Sequence, residues 1–515
     1  GSVLSGLTEH GLLEDPFYRM NEYPTRELLK NDFIFSREFE LKKEDGRVYA
    51  LCCDGIDTVA DIFINGMLIK HVDNMHLRYR ILCTNVLKNG TNNITVKIHS
   101  AIAYVNEHVP AAGKEIHYTA CGAMEGNQYI RKAHSMFGWD WGPQLPDMGI
   151  WRDIFIDSYE KAELSDLHIR QEHIDGKVFL SAETKVMLPE KAQDGEIAEA
   201  EYLVLPQSAE SNARILKESV GNNDSTLAEN ADNLEVKITL QAPDGKQISF
   251  SDGKCLVEDP KLWWPNGYGA QNLYTFKACC VTKGILHEMQ PRKIGIRTLE
   301  LDTSKLEDGS RNFFFKVNGV RIFCKGGNWV PTDSLYLRTP KESYETLVRE
   351  GAAARFPMFR MWGGGTYEPD CFYEYCSEYG ILLMHDFMYA CAFYPDHKND
   401  FLFEAEREAE YQTKRLANYP CMAIWTGNNE IAESYTDWFP APIKPERFYG
   451  EKIFNYIQPR AVHRNSPLVP YMPSSPYFGD RANESEQGDV HAWSFFGRHP
   501  KTKFKFVYEL EAFDR

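Results

Sequence analysis

An apolar run in the second half of the chain ends on amides and a carboxylate. Residues 424–430 read IWTGNNE, so Asn429 and Glu430 directly follow a stretch that is typical of a buried strand. A carboxyl group held there and screened from water by Trp425 and Trp438 would have a raised pKa and could act as a general acid. Cleavage of a glycosidic bond needs such a group, because the leaving alkoxide must be protonated.

Polar and aromatic residues also follow other predicted strands. These strand ends are GGNW (326–329), MWGGG (361–365), HDF (385–387) and HAW (491–493). A single Asn–Glu pair could equally cap a turn and begin a helix. Repetition at several strand ends favours a pocket that binds a hydroxyl-rich ring by hydrogen bonds and packs Trp faces against its C–H surface.

Strand-sized apolar runs alternate with helix-sized amphipathic runs after about residue 313. Thr339–Glu342 predicts a helix start, with Pro340 at the first helical position, and a second helix is predicted to end near Asn418. Parallel strands joined by helices predict a (β/α)8 TIM barrel over residues 300–515, with its site at the carboxyl ends of the strands. The predicted strands are RIFCKGGNW, PMFRMW, ILLMHDF, CMAIWTG, LVPYM and DVHAW.

The first part of the chain is rich in short β-type runs. Residues 1–158 predict an antiparallel β-sandwich, in which Asn65-Gly66 between two apolar runs is a strong signal for a two-residue hairpin. Residues 159–299 continue in strand-sized runs and predict a second, immunoglobulin-like β-sandwich. The fold class expected is therefore multidomain β plus α/β.

Composition argues against several classes of partner. The net charge is −17, and no block of Lys and Arg could follow a phosphate backbone, so we expect no nucleic acid. We also expect no membrane partner, because no run of 18 apolar residues occurs. The twelve Cys show no zinc-type spacing, which predicts reduced, buried thiols and no metal. A cytoplasmic location is expected, with secreted and lysosomal locations as open alternatives.

Long motifs throughout the chain resemble the β-mannosidases of glycoside hydrolase family 2. The motifs are GLLEDPFYRMNE (11–22), FGWDWGP (137–143), GIWRDIFI (149–156), KLWWPNGYGAQNLY (261–274), KIGIRTLEL (293–301), RMWGGGTYEPD (360–370) and WTGNNE (425–430). The resemblance implies a jelly-roll-like sugar-binding sandwich, an immunoglobulin-like sandwich and a TIM barrel. It also implies a retaining, exo-acting enzyme that needs no cofactor and releases terminal β-D-mannose from a β-mannoside or manno-oligosaccharide.

The resemblance assigns roles to individual positions. It implies that Glu430 is the general acid/base and that Asn429 binds the 2-hydroxyl of the sugar. The other substrate-binding positions that it implies are Trp139, Asp140, Trp362, Trp438, His491 and Trp493. Arg131 and Trp151 are expected to have structural roles instead.

The chain departs from the family pattern at the nucleophile. A Ser-Glu-Phe/Tyr-Gly motif is expected downstream of Glu430, and none is present. CSEYG supplies the letters upstream, but Gly380 is typical of a helix end, so we reject Glu378. Glu509 and Glu511 lack the motif's context. We expect a barrel of about six strands here, as part of a longer enzyme.

Two other interpretations remain open at this point. The chain could be a non-catalytic carbohydrate-binding remnant that lacks the nucleophile. It could also be another family 2 exo-glycosidase, such as a β-galactosidase or β-glucosaminidase. A glucuronidase is disfavoured, because the predicted rim offers no dedicated cation for an acidic sugar. The oligomeric state is not predicted.

Overall fold

Three β-rich or α/β regions follow one another along the chain. The computed structural model describes residues 1–110, 118–159, 163–187, 201–205, 214–217, 234–250, 254–282, 285–438, 447–478, 481–483 and 488–492. All statements below concern these residues.

Two antiparallel sheets form the first region. One sheet has the strand order β1-β7-β4-β5 and the other β6-β2-β9, with β3 and β8 as a short extra pair. Apolar residues such as Leu51, Ile62 and Val96 fill the space between the sheets. The elements are α1 (Val3–Glu9), α2 (Glu22–Leu28), β1 (Phe33–Leu41), β2 (Val48–Cys53), β3 (Ile56–Asp57), β4 (Ala60–Ile64), β5 (Met67–Val72), β6 (Tyr79–Leu82), β7 (Gly90–Ile98), α3 (Ala101–His108), β8 (Gly149–Ile150) and β9 (Ile154–Tyr159).

The hairpin between β4 and β5 has the predicted turn. Asn65 and Gly66 occupy the two loop positions with φ of 52° and 80°, the left-handed backbone that a type I′ turn requires. Short 3-10 turns at Asn127–Tyr129 and His134–Phe137 lie in the long connection between α3 and β8. That connection carries the FGWDWGP motif.

The second region is also a two-sheet sandwich. Its first sheet has the order β10-β11-β12-β13 with β16 beside β11, and its second has β15-β14-β17-β18 with β19 beside β17. Leu180, Leu240 and Phe276 are buried between them. The strands are β10 (Glu163–Ile174), β11 (Lys177–Met187), β12 (Glu201–Leu205), β13 (Arg214–Lys217), β14 (Leu234–Gln241), β15 (Gln247–Ser249), β16 (Lys254–Val257), β17 (Leu273–Thr282), β18 (Ile285–Glu288) and β19 (Arg292–Gly295).

A small antiparallel sheet then leads into the barrel region. It contains β20 (Leu299–Asp302), β21 (Phe314–Val317) and β22 (Val320–Ile322). The prediction of one strand over RIFCKGGNW is therefore wrong: its first residues belong to β22, and its last four form β23 (Gly326–Trp329) in a different sheet.

The barrel region contains a parallel sheet of five strands in the order β23-β24-β25-β26-β27. The predicted sixth strand, DVHAW, contributes a single antiparallel bridge from Asp489 to Tyr477, and Trp493 lies outside the described residues. The elements after β23 are α4 (Lys341–Ala353), β24 (Met358–Met361), α5 (Asp370–Tyr379), β25 (Leu382–Asp386), α6 (Asn399–Leu416), β26 (Met422–Thr426), α7 (Ile431–Glu433), α8 (Gln458–Asn465) and β27 (Tyr471–Met472), with π-helical turns at Ser434–Trp438 and Ile453–Ile457.

Helices α4, α5 and α6 cover one side of the parallel sheet. The α4 helix begins at Lys341, with Pro340 as its cap, one residue later than predicted. The fold is thus two β-sandwiches followed by a barrel-type α/β region. Among the described helices, none has both the length and the apolar character required to cross a bilayer. All twelve cysteines are free thiols.

Candidate active site

The strand β26 ends at Thr426 and carries Glu430 to the carboxyl edge of the parallel sheet. Gly427 is required here by space rather than by a sharp turn: a Cβ atom would lie 2.2 Å from the Pro473 carbonyl oxygen and 2.6 Å from the Tyr471 hydroxyl. The sharp turn falls on Glu430, whose φ is 59°. Left-handed backbone is rare outside glycine and is concentrated at functional sites.

Glu430 is held on both carboxylate oxygens. Its Oε1 lies 2.7 Å from Nδ1 of His491, and the Cys391 thiol donates to Oε2 at 3.4 Å. Its backbone N–H donates to the Ser475 carbonyl at 2.8 Å. The residue is only 7% exposed, so the carboxylate points into the protein and its orientation is fixed.

The pKa of Glu430 is lowered, which contradicts the sequence-based prediction. Burial raises this pKa, but the hydrogen bond and charge of His491 outweigh burial, with smaller contributions from Cys391 and Arg360. Trp425 does not screen the carboxylate as predicted, because its ring is buried in the barrel core against Phe387, 4.6 Å between ring centroids. The lowering of this pKa comes mainly from the hydrogen bond and charge of His491.

His491 has its own support. Asn483 brackets its backbone, accepting from the His491 N–H at 3.0 Å and donating to its carbonyl at 3.1 Å. The Nε2 atom lies 3.0 Å from the Ser475 hydroxyl, which donates to Asp489. His491 thus contacts the Glu430 carboxylate, and its contact with a substrate stays a prediction.

Asn429 has a fixed side-chain orientation. Its Oδ1 accepts from Arg360 at 2.9 Å, and its Nδ2 donates to the Cys391 sulfur at 3.2 Å. Arg360 is held in turn by the buried Asp386 at 2.7 Å, which also accepts from the Gly363 N–H at 3.0 Å. Because an amide nitrogen carries two hydrogens, one N–H of Asn429 remains for a ligand.

Asn428 is not a ligand-binding residue. Its Oδ1 accepts from the Ile431 N–H at 3.0 Å and from the Ser474 hydroxyl at 2.7 Å, and its Nδ2 donates to the Pro473 carbonyl at 2.9 Å. It caps α7 and ties the strand end to the next segment.

The first sandwich reaches this rim through residues 118–142. The Ala120 N–H donates to the Cys391 carbonyl at 3.0 Å, and the Ser135 N–H donates to the Gly364 carbonyl at 2.9 Å. Trp139 and Gly142 pair in both directions, at 3.3 and 3.2 Å, and so place Asp140 at the tip of a tight turn. Trp139 therefore lies beside Trp362, just after β24, and Asp140 follows Trp139 in the turn. Contact of these two residues with a sugar stays a prediction.

Trp139 and Trp362 form one wall. Their ring centroids lie 4.6 Å apart in an edge-to-face arrangement, with His134 on the other side of Trp139 at 4.9 Å. Trp141 completes a cluster of three, 5.5 Å from Trp362. Sequence reasoning missed Trp141, although it stands in the same FGWDWGP motif.

The remaining predicted residues are more distant from this wall or lie outside the described residues. Trp438 is half-buried at the end of a π-helical turn, with its ring 6.5 Å from that of Tyr118. Trp493, Glu509 and Glu511 lie outside the described residues. Glu378 is on the outer helix α5, ion-paired with Lys293 at 2.6 Å, so its rejection was correct.

Three residues that the sequence analysis did not assign hold Asn429 and Glu430 in position: Cys391, Arg360 and Asp386. Arg360 could have been found, because it begins the RMWGGG motif. Nothing in the sequence around Cys391 indicates that its sulfur contacts both Asn429 and Glu430, since those contacts span 38 and 39 residues.

Glu433 is a second carboxylate close to Glu430. Glu430, Glu433 and His491 place ligand-type atoms within 4.8 Å of one another, close enough for one cation, although His491 and Glu430 already satisfy each other. Glu433 lies three residues after Glu430, at the end of the short helix α7 that begins just after Glu430. It accepts instead from Asn483 at 3.1 Å.

Comparison with known proteins places this geometry in a family. The model described as "Glycosyl hydrolase 2 galactose-binding domain-like" matches residues 1–152, and "Glycosyl hydrolases family 2" matches residues 162–297. The chain carries two domains of glycosyl hydrolase family 2. Beta-mannosidase B of Emericella nidulans is 30% identical over 514 residues, which is 96% of this chain and 56% of the relative.

Two other similar proteins are also named as beta-mannosidases. Beta-mannosidase of Mus musculus is 29% identical over 96% of this chain and 56% of its own length. The crystal structure of a beta-D-mannosidase from Dictyoglomus thermophilum has a TM-score of 0.82 at 31% identity, covering 96% of this chain and 57% of that one. This family 2 chain thus spans a little over half the length of the relatives that it matches.

Proposed function

We propose that this chain contributes the acid/base half of a retaining, exo-acting β-mannosidase, which removes terminal β-D-mannose from β-mannosides and manno-oligosaccharides. The observation that carries the proposal is the contact network around Glu430. A buried carboxyl group at a barrel strand end lies beside a fixed amide, and a turn from another domain reaches the same rim. The similarity to beta-mannosidases supports the choice of sugar.

Glu430 performs two proton transfers in this mechanism. In the first step it protonates the leaving oxygen while a carboxylate on the opposite face, roughly 5 Å away, attacks the sugar. In the second step it removes a proton from water, which then hydrolyses the glycosyl–enzyme bond. The opposing negative carboxylate and the exclusion of water by the sugar both raise the pKa of an acid, opposing the lowering by His491.

The neighbouring residues orient the sugar. In this proposal the second N–H of Asn429 donates to the 2-hydroxyl, whose axial position distinguishes mannose from glucose and galactose. Trp139 and Trp362 offer apolar surface for the C–H face of the ring. The Trp139–Gly142 turn holds this first-domain segment beside Trp362, next to the proposed position of the terminal sugar.

Replacement of the acid/base tests the proposal directly. In the full-length protein, Glu430→Gln should slow hydrolysis of an alkyl β-mannoside by ~10² to 10⁴, because a poor leaving group needs the proton. With a 2,4-dinitrophenyl β-mannoside the first step should be nearly unaffected, since that leaving group needs no acid. Burst and steady-state kinetics on both substrates provide the measurement, and Glu378→Gln on the outer helix is the matched control. Equal loss on both substrates would reject the assignment.

A binding protein without turnover is the second candidate. Incubation of the 515-residue chain with an aryl β-mannoside, beside the β-galactoside and β-glucosaminide, separates these candidates. Mannose binding without any release of the aryl group would support the second candidate, and release from the galactoside alone would change the sugar.

A further inference from the structure

A cavity of about 230 Å³ lies between the first sandwich and the barrel. Its walls come from Trp151 and Arg152 of the first sandwich and from the loops after β23 and β24, which include Thr332 and Thr366. This volume is several times the ~30 Å³ of one water molecule but below the ~300 Å³ at which sites for drug-sized ligands begin. The cavity therefore has room for a small ligand. Among the described residues, its lining contains none that is assigned to the candidate active site.

Two cationic side chains line this cavity. Arg152 donates to the Tyr367 carbonyl at 2.6 Å, and its guanidinium lies 4.1 Å from the Trp151 ring centroid. Burial and the nearby charge of Arg415 lower the pKa of Arg152. Lys341 is the second cation of the lining. Neither side chain forms an ion pair with a described carboxylate, so both charges are available to an anion.

Helix α4 begins at the same cavity. Thr339 and Lys341, on either side of the N-cap Pro340, both belong to the lining. Pro340 has no side-chain acceptor for the N–H groups of the first turn. Those groups and the helix dipole attract anions. A helix start alone does not define a site, because water can satisfy its N–H groups.

Thr366 provides an independent observation that points to a ligand. Its side chain lines the cavity and is only 5% exposed. Its Oγ1 has no hydrogen-bond partner among the described residues. A buried hydroxyl without a partner costs free energy, and such groups are rare in folded proteins. A ligand oxygen in the cavity would accept a hydrogen bond from this hydroxyl and remove that cost.

Glu368 is the acidic residue of the described lining. Burial raises the pKa of its carboxyl group, and hydrogen bonds from Trp329 and Tyr344 offset this only in part. The Trp329 Nε1 donates to Oε1 at 2.8 Å. A raised pKa favours the uncharged form of the carboxyl group. In that form Glu368 does not repel an anion and can donate a hydrogen bond to it.

We propose that this cavity binds a small oxyanion of the phosphate or sulfate type. Its oxygens accept hydrogen bonds from Lys341, Arg152 and the Thr366 hydroxyl, and from the first N–H groups of α4. The bound anion joins the first sandwich to the barrel loop after β24. Such binding does not depend on the proposed function. The phosphate group belongs either to the inorganic ion or to a small phosphate ester, and the titrations below distinguish the two.

Calorimetric titration of the 515-residue chain with sodium phosphate at constant ionic strength tests the site. We expect one site with a Kd of about 1 mM or below, and no such binding of chloride. Thr366→Val removes the hydroxyl and keeps the side-chain shape, so phosphate binding should weaken about five- to tenfold. Stability without phosphate should not fall, because that hydroxyl has no described partner. Lys341→Gln should weaken phosphate binding by a similar factor.

A second titration uses glycerol 1-phosphate. Tighter binding of glycerol 1-phosphate than of inorganic phosphate would assign the site to a phosphate ester. Weaker binding would assign it to the inorganic ion. Both results support an oxyanion site, provided that Thr366→Val weakens the binding of the preferred ligand.

Lys305→Gln is the matched control, since it removes an exposed lysine between β20 and β21, outside the cavity. The net charge of −17 gives the chain no general attraction for anions, so this variant should bind phosphate as the parent does. Equal weakening by Lys305→Gln and Lys341→Gln would overturn the proposal, because phosphate would then bind to surface lysines in general. Absence of phosphate binding in the parent would also overturn it, as would unchanged affinity in both Thr366→Val and Lys341→Gln.

Discussion

Glu430 combines a strained backbone with a buried and hydrogen-bonded side chain. Left-handed φ at a non-glycine residue costs of order 1–3 kcal/mol, so the surrounding contacts must hold it there. Those contacts are the Ser475 carbonyl on its backbone and His491 on its carboxylate. The strain directs the side chain along the rim instead of away from it.

His491 is hydrogen-bonded to the Glu430 carboxylate, with its Nδ1 2.7 Å from Oε1. Its hydrogen bond lowers the pKa of this carboxyl group, so removal of the imidazole in His491→Ala should raise that pKa. A general acid works while protonated, so the alkaline limb of the kcat/KM profile should move to higher pH. The profile of the full-length protein with an alkyl β-mannoside measures this.

The neighbouring groups define the control for this variant. Cys391, Glu433 and Arg360 also face Glu430, but they are unchanged in His491→Ala. The matched variant is His463→Ala, in the last turn of the outer helix α8, which should leave the profile in place. An alkaline limb that moves to lower pH in His491→Ala would contradict the assigned role.

The position of Glu430 just after a buried strand could be predicted from sequence, and the direction of its pKa shift could not. IWTGNNE is a local pattern, so Asn429 and Glu430 were found from neighbours in the chain. The direction of the pKa shift depends on His491, which is 61 residues away. Burial alone predicts a raised pKa, and only the structure supplies the partner that reverses it.

The loop after β25 connects the first sandwich to the site. Arg131, from the first sandwich, donates to the Met388 carbonyl at 2.9 Å and to both oxygens of Glu408 on α6, at 2.7 and 2.9 Å. Its guanidinium lies 3.8 Å from the Tyr389 ring centroid. Two residues later this loop presents the Cys391 thiol to Glu430, so Arg131 has the structural role that the sequence predicts.

Breaking the Arg131–Glu408 pair should destabilise the protein strongly. Both side chains are almost completely buried, with 3% and 1% exposure. Glu408→Gln leaves the Arg131 charge without a counterion, so we expect the free energy of unfolding to fall by about 3–5 kcal/mol. Urea unfolding followed by fluorescence measures the change.

The pH dependence of the parent protein's stability provides a second test of the Arg131–Glu408 pair. Burial raises the pKa of Glu408, but Arg131 outweighs burial and the pKa is lowered. The stabilisation is therefore present above the unfolded pKa and is lost as pH falls through the folded value. Glu183→Gln, which breaks an exposed pair with Arg170, should cost at most about 1 kcal/mol. A similar small cost for Glu408→Gln would contradict the importance of the buried pair.

Secondary structure was predicted correctly from sequence where the signal came from neighbouring residues. The Asn65-Gly66 turn follows from the backbone preferences of those two residues, and both have the expected φ. The prediction of a single strand over RIFCKGGNW was wrong, because a continuous β-rich run contains no signal for a change of sheet between Ile322 and Gly326. Which sheet a strand joins depends on partners distant in sequence, and a pattern of period two does not identify them.

The second sandwich contacts the barrel at the start of β26, whereas the first contacts it at the loop after β25. Arg297 donates to the carbonyls of Pro420, at 2.7 Å, and of Met422, so it binds the start of β26. Asn418, just after α6, donates to the Leu167 carbonyl at 2.7 Å and accepts from the Ile169 N–H at 3.1 Å in β10. The second sandwich therefore binds the start of β26, and the first binds the loop whose Cys391 contacts Glu430.

Asn418→Ala tests whether these regions unfold as one unit. The substitution leaves a donor and an acceptor of β10 without their partner, so we expect a loss of about 1–3 kcal/mol in the free energy of unfolding. Because Asn418 joins two regions, the loss should appear as weaker cooperativity: in calorimetry, the second sandwich should begin to unfold before the barrel. Asn312→Ala is the matched control, since that amide bonds only within the β20–β21 connection, to Ser304 at 2.9 Å. The two variants could instead each show a single unfolding transition, shifted by the same amount. That result would show that Asn418 does not couple the two regions. In that case Arg297 alone would join the sandwich to the strand that carries the acid/base.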